Sequence, residues 1–109
     1  MIFIKKLKFF ILLLLLISTI SHSKELKKVT LHLSWLDQFQ FAGYYMAKEK
    51  GFYEEVGLDV EIIPFSFGVD IPKEVSDGKV DFAVGRETLI LERTNDRNIV
   101  ALYALFQAT

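Results

Sequence analysis

After residue 23, apolar positions gather into four short runs, residues 29–34, 58–63, 80–84 and 98–106, each of strand length. Run 58–63 alternates, with Leu58, Val60 and Ile62 against Asp59 and Glu61, which predicts a strand near a sheet edge. Runs 80–84 and 98–106 are nearly continuous, as expected of strands covered on both faces. Between the runs the period becomes helical. Phe41, Ala42, Tyr45 and Met46 form an apolar stripe in a helix expected over 38–50, with Asp37 as N-cap and Gln40 at the third helical position. Gly51 supplies a left-handed stop, and a further turn over 53–56 ends at Gly57. A second helix is expected over 71–77, capped by Asp70, with Pro72 in its first turn and Gly78 as its stop. Only Ile71 and Val75 of that helix face a core. A third, over 87–94, leads through the polar turn 95–98 into the last run. Alternation of strand and helix predicts an α/β fold, an open, mostly parallel sheet with flanking helices and right-handed crossovers.

The first 23 residues read differently. Lys5, Lys6 and Lys8 precede an unbroken apolar run over 9–17, and Ser21-His22-Ser23 places small residues, Ser21 and Ser23, at the positions a signal peptidase requires. Residues 1–23 are therefore expected to be a signal peptide, cleaved after Ser23. The run is shorter than the roughly 20 residues that span a bilayer, although counting it from 9 to 20 leaves an uncleaved anchor as the alternative.

Removing the leader takes three of the 13 Lys+Arg and none of the 14 Asp+Glu, so the mature part carries −4. No basic patch survives, which argues against nucleic acid as a partner. The chain has no cysteine, so an exported domain of this kind relies on packing, without disulfides or a thiolate metal site. Residues 24–109 are few for an α/β domain, and the apolar run 98–106 closes without a cap or covering helix. The expectation is the N-terminal portion of a longer domain.

In an open parallel sheet the ligand crevice lies beyond the carboxyl ends of the strands. Three loops qualify: 35–40, 64–69 and 85–88. The first follows a strand within a stretch, residues 35–53, in which seven of nineteen residues are aromatic. It offers Trp35 for stacking and Gln38 and Gln40 for hydrogen bonding, with Tyr44 on the helix behind it. The second offers Ser66 between two phenylalanines. The third offers Gly85 for close backbone approach, Arg86 as an anion clamp, and Thr88. Helix N-termini at Gln38 and Glu87 would add free N–H groups.

Each residue has a plainer alternative. Trp35 can plug the end of the sheet. Tyr44 and Tyr45 point about 100° apart on a helix, so at most one faces the crevice, and Tyr45 is the better core residue. Asp37 is a cap before it is an acid, and Arg86 can pair with Glu87 in solvent. His32, mid-strand between Leu31 and Leu33, is better read as hydrogen-bonded or half-exposed than as a ligand. No Ser/His/Asp order, H-E-x-x-H, phosphate loop or metal-ligand cluster can be read, so neither catalytic residues nor a metal or cofactor are implied.

Trp35, Gly43, Tyr45, Ala47, Gly51-Phe52-Tyr53 and Gly57-Leu58-Asp59-Val60-Glu61, followed by Gly78-Lys79-Val80-Asp81-Phe82-Ala83-Val84-Gly85, carry a resemblance. The pattern resembles the opening of a solute-binding family of ABC importers, the branch with thiamine-pyrimidine synthase-like and aliphatic sulfonate- or taurine-binding-like domains. It covers nearly all of residues 28–107. The resemblance implies a periplasmic-binding-protein fold of type II, two lobes closing on a ligand, with only the first part of lobe one present. It implies that loop 35–40 and the strand end at 85–88 help to form the cleft. The cysteine-rich motif of eukaryotic pyrimidine synthases would lie beyond these residues, which leaves iron-dependent synthesis unsupported. Arg86-Glu87 is bulkier and more charged than the small polar residues common at that strand end, which leaves the ligand class open.

Three functions follow as expectations. The first is an extracytoplasmic, periplasmic binding protein for a thiamine-pyrimidine precursor or sulfonate-like anion, partnered by an ABC permease. The second is a periplasmic sensor domain joined to a signalling output module (a histidine kinase or diguanylate cyclase). The third is a pyrimidine synthase-type enzyme of thiamine biosynthesis. The first two use the same residues, so the sequence leaves them open.

Overall fold

A computed structural model describes residues 1–17 and 25–105. Helix α1, Ile2–Ile17, carries the lysines and the apolar run of the leader. Its 16 residues extend about 24 Å, short of a bilayer core, and no helix among the described residues is long and apolar enough to cross a membrane. Ser21, His22 and Ser23 of the expected cleavage site lie outside the described residues.

Three strands, β1 (Lys27–His32), β2 (Leu58–Ile63) and β3 (Phe82–Ala83), form a parallel sheet in the order β2-β1-β3. Val29 pairs with Val60, Leu31 with Ile62, and Leu31 also with Phe82. The period of two then puts these five side chains on one face and Lys28, Thr30, His32, Asp59 and Glu61 on the other. The alternating strand β2 lies at the edge, as its pattern predicts. Lys48 donates from Nζ to the Val60 carbonyl at 2.7 Å, which ties the first helical segment to that edge.

Among the described residues, buried apolar side chains are few: Val29, Leu33, Phe41, Val60, Ile71 and Val80. Leu33, fully buried, contributes about 1.5–3 kcal/mol by leaving water.

The helix expected over 38–50 starts later. A 3-10 turn, Phe39–Phe41, precedes α2, Ala42–Glu49. Asp37 is not its cap: the turn moves the helix start five residues beyond it, and its carboxylate instead accepts from the Tyr45 hydroxyl at 2.8 Å. Gly51 takes φ 74° and its N–H bonds to the Lys48 carbonyl, so the chain turns at once into α3, Phe52–Glu55. Helix α4, Ile71–Ser76, forms as its sequence predicts, with Asp70 Oδ1 accepting from the Lys73 N–H at 3.1 Å and Gly78 turning the chain away. Helix α5, Leu89–Glu92, continues as a 3-10 turn, Arg93–Asn95, and stops at Asp96 in the left-handed region.

Two strand expectations are corrected. The third strand shrinks from 80–84 to two residues, because Asp81 replaces the ladder at its start. Asp81 Oδ2 accepts from the Thr30 N–H at 2.8 Å and from the Thr30 hydroxyl at 2.9 Å, and the Asp81 N–H donates back to that hydroxyl. Phe82 is 44% exposed, so this strand is not covered on both faces. The fourth strand, 98–106, does not form within the described residues 98–105; no neighbouring strand offers it a ladder, and Val100, Leu102 and Tyr103 are exposed. Phe106 lies outside the described residues.

Candidate functional site

Pairing continues one residue past the strands. The Leu33 N–H donates to the Ile63 carbonyl and the Val84 N–H to the His32 carbonyl, each at 2.9 Å. The loops that leave β1, β2 and β3 therefore start side by side at the carboxyl edge of the sheet, where open α/β folds bind ligands.

Aromatic side chains fill this edge. Trp35 lies 5.1 Å from Phe65 between ring centroids, tilted 34°, and 6.2 Å from Phe67 in an edge contact; Phe65 and Phe67 meet edge to face at 5.1 Å. Over the same indole sits the Arg86 guanidinium, its carbon 5.1 Å from the centroid. No carboxylate among the described residues pairs with Arg86, so it is not the solvated partner of Glu87. A cation held over a tryptophan face gains about 0.5–1 kcal/mol when exposed and more when desolvated.

The loops border a broad depression of about 2280 Å³ that runs onto the apolar face of the sheet. Trp35, Gln40, Tyr44, Gly85, Arg86 and Thr88 line it. Gln38 and Ser66 do not. Gln38 is extended at the entry to the 3-10 turn, where its carbonyl receives the Phe41 N–H, and Ser66 is exposed between the two phenylalanines. Gly85 lines the depression, yet its lack of a side chain serves packing: a Cβ there would come within 2.8 Å of Leu89 Cγ.

Tyr44 and Tyr45 diverge as helix geometry requires. Tyr45 turns to Asp37, whose hydrogen bond raises its pKa. Tyr44 faces the depression together with Tyr53 and Tyr103, neither of which was expected at the site. Burial first, then the charge of and hydrogen bond to Tyr103, and then Tyr53 push the Tyr44 hydroxyl up to about 12. No local pattern could have revealed this cluster, because Tyr103 lies 59 positions beyond Tyr44.

On another part of the rim, Arg97 binds Asp70 and Glu92 at 2.6–2.7 Å, and the Asn98 N–H donates to Ser76 Oγ at 3.0 Å. Arg97 holds the Asp70 carboxyl below its ordinary range. His32 is buried rather than half-exposed, at 3%. Its Nδ1 must donate to the Leu33 carbonyl at 3.0 Å, which leaves Nε2 3.9 Å from the Glu74 carboxylate. That is the hydrogen-bonded alternative to a ligand role. Among the described residues, no group of three or more His, Cys, Asp or Glu side chains could hold a metal ion.

A family model described as NMT1/THI5 like matches residues 38–109, about two thirds of the chain. No curated protein and no solved structure matches it.

Proposed function

The chain belongs to the NMT1/THI5-like family, which ties it to small-molecule binding alongside transporters, and from that premise we propose an extracytoplasmic binding protein of an ABC importer. Its ligand would be a thiamine-pyrimidine precursor or a sulfonate-like anion. The observation that carries this reading is the aromatic and guanidinium surface at the carboxyl edge of a parallel sheet, Trp35 backed by Phe65 and crossed by Arg86. The sheet would belong to the first lobe of a two-lobed type II binding fold, and closure of a second lobe would bury this surface against the ligand. Residues 1–23 would direct export to the periplasm. Aromatic, amide and cationic side chains suit capture, and none of them is arranged as a nucleophile with a base, so binding without catalysis is the function proposed.

Calorimetric titration of the full chain with thiamine-pyrimidine precursors and with small alkyl sulfonates tests the proposal. Saturable binding of one class at about micromolar Kd, a free energy near −8 kcal/mol, is expected. Absence of binding by either class would overturn it.

A further inference from the structure

We infer that the ligand of this crevice carries an oxyanion, a carboxylate, sulfonate or phosphate ester, and that Arg86 receives it. The inference deepens the binding function proposed above and rests on it. Three arginines line the depression, Arg86, Arg93 and Arg97, and of these it is Arg86 that lies over the Trp35 indole. Arg97 is neutralised by Asp70 and Glu92, whereas Arg86 meets no carboxylate among the described residues. Asp81, Glu87 and Glu92 also line the crevice, but none of them takes up the Arg86 guanidinium, so its donors are not spent on a carboxylate of the described residues.

The indole defines what that charge can do. Attraction between a guanidinium and a ring needs no acceptor atom, so the N–H fork is not committed to another oxygen. Two such donors match two oxygens of an oxyanion. Trp35 is itself backed by Phe65 and edged by Phe67, so the platform beneath Arg86 is fixed on two sides. Fixing the side chain beforehand lowers the ordering cost of binding. A neutral heterocycle stacking on Trp35 would have to displace Arg86 or Phe65, which both lie within 5.1 Å of the ring centroid. Arg86 therefore turns a stacking surface into an anion anchor.

The test uses the full chain and three probes: an alkyl sulfonate, a pyrimidine phosphate ester and the corresponding uncharged pyrimidine. Calorimetry is run on the wild type, Arg86→Gln and Arg86→Lys. The expected result is binding of at least one acidic probe, weakened about tenfold to a hundredfold in Arg86→Gln and less in Arg86→Lys, which keeps the charge but loses the fork. Affinity should also fall with added salt in the wild type and less steeply in Arg86→Gln. The two acidic probes distinguish a sulfonate from a phosphate ester. Equal binding of the uncharged pyrimidine to wild type and Arg86→Gln, with neither acid bound, would overturn the inference and leave the binding function standing. Failure of all three probes would remove both. Circular dichroism of each variant excludes misfolding as the cause of a loss.

Discussion

Arg97 grips Asp70 with both arms of its guanidinium, Nη1 to Oδ1 at 2.7 Å and Nη2 to Oδ2 at 2.6 Å, across 27 positions of sequence. The same carboxylate caps α4 by accepting the Lys73 N–H. One side chain thus fixes both the start of a helix and the turn that carries the chain from α5 toward residues 98–105. With the Asn98 to Ser76 bond, this clasp forms part of the rim of the depression that Trp35 and Arg86 also line.

The clasp predicts an acid-sensitive rim. Arg97, and next the Lys73 N–H, lower the Asp70 pKa, so its contribution is present above the unfolded-state carboxyl pKa and is lost as pH falls through the lowered folded value. Thermal unfolding of the full chain should shift down below the ordinary carboxylate range, with Asp70→Asn showing a smaller pH dependence there. Asparagine still caps α4, so Asp70→Asn should destabilise less than Asp70→Ala. Equal pH profiles for wild type and Asp70→Asn would show that the pair contributes nothing.

Gly51 permits a sharper magnitude. It holds φ 74° and, beyond its two chain neighbours, nothing lies within 4 Å of the place a Cβ would occupy, so substitution there meets backbone strain alone. Gly51→Ala should cost about 1–2 kcal/mol in denaturant unfolding, and Gly51→Asn clearly less, because asparagine visits the left-handed region more readily. Similar losses in the two variants would mean that crowding, not conformation, decides this position.

Features written by neighbouring residues were the legible ones. The strand at 58–63 was readable to the residue because an edge strand alternates, and α4 because Asp70, Pro72 and Gly78 act on their own turns. What depends on distant partners was hidden. Asp81 replaces a ladder bond only because Thr30, 51 positions earlier, lies beside it, and this shortened a strand that its apolar run made look longer. Residues 98–105 are apolar enough for a strand, but hydrophobicity cannot supply the neighbour that a ladder needs. Trp35, Gln40, Tyr44, Gly85, Arg86 and Thr88, expected from their place after strands and on one helix face, line the depression. Gln38 and Ser66 do not line it, because loop direction, not loop membership, decides what a side chain lines. The contact of Arg86 with Trp35 joins two loops that only the parallel order β2-β1-β3 brings together.

Tyr44 carries the last prediction. Its hydroxyl is pushed up to about 12, first by burial and then by Tyr103 and Tyr53. A folded pKa above the unfolded one favours the protonated, folded state; that contribution is whole below pH 10.0, the ordinary tyrosine value, and is lost as pH rises toward about 12. Two measurements follow. Spectrophotometric titration of the full chain should show phenols ionising later than the ordinary tyrosine range, and Tyr44→Phe should remove the latest part, leaving what Tyr45 and Tyr53 contribute. Alkaline unfolding should begin above pH 10.0 in the wild type and move upward in Tyr44→Phe, which has no proton to lose. Because Tyr103 contributes after burial, Tyr103→Phe should bring the late component part of the way back and leave the burial share in place. If Tyr103→Phe leaves the titration unchanged, residues 98–105 do not lie against the phenol of Tyr44, and that wall of the depression must be redrawn.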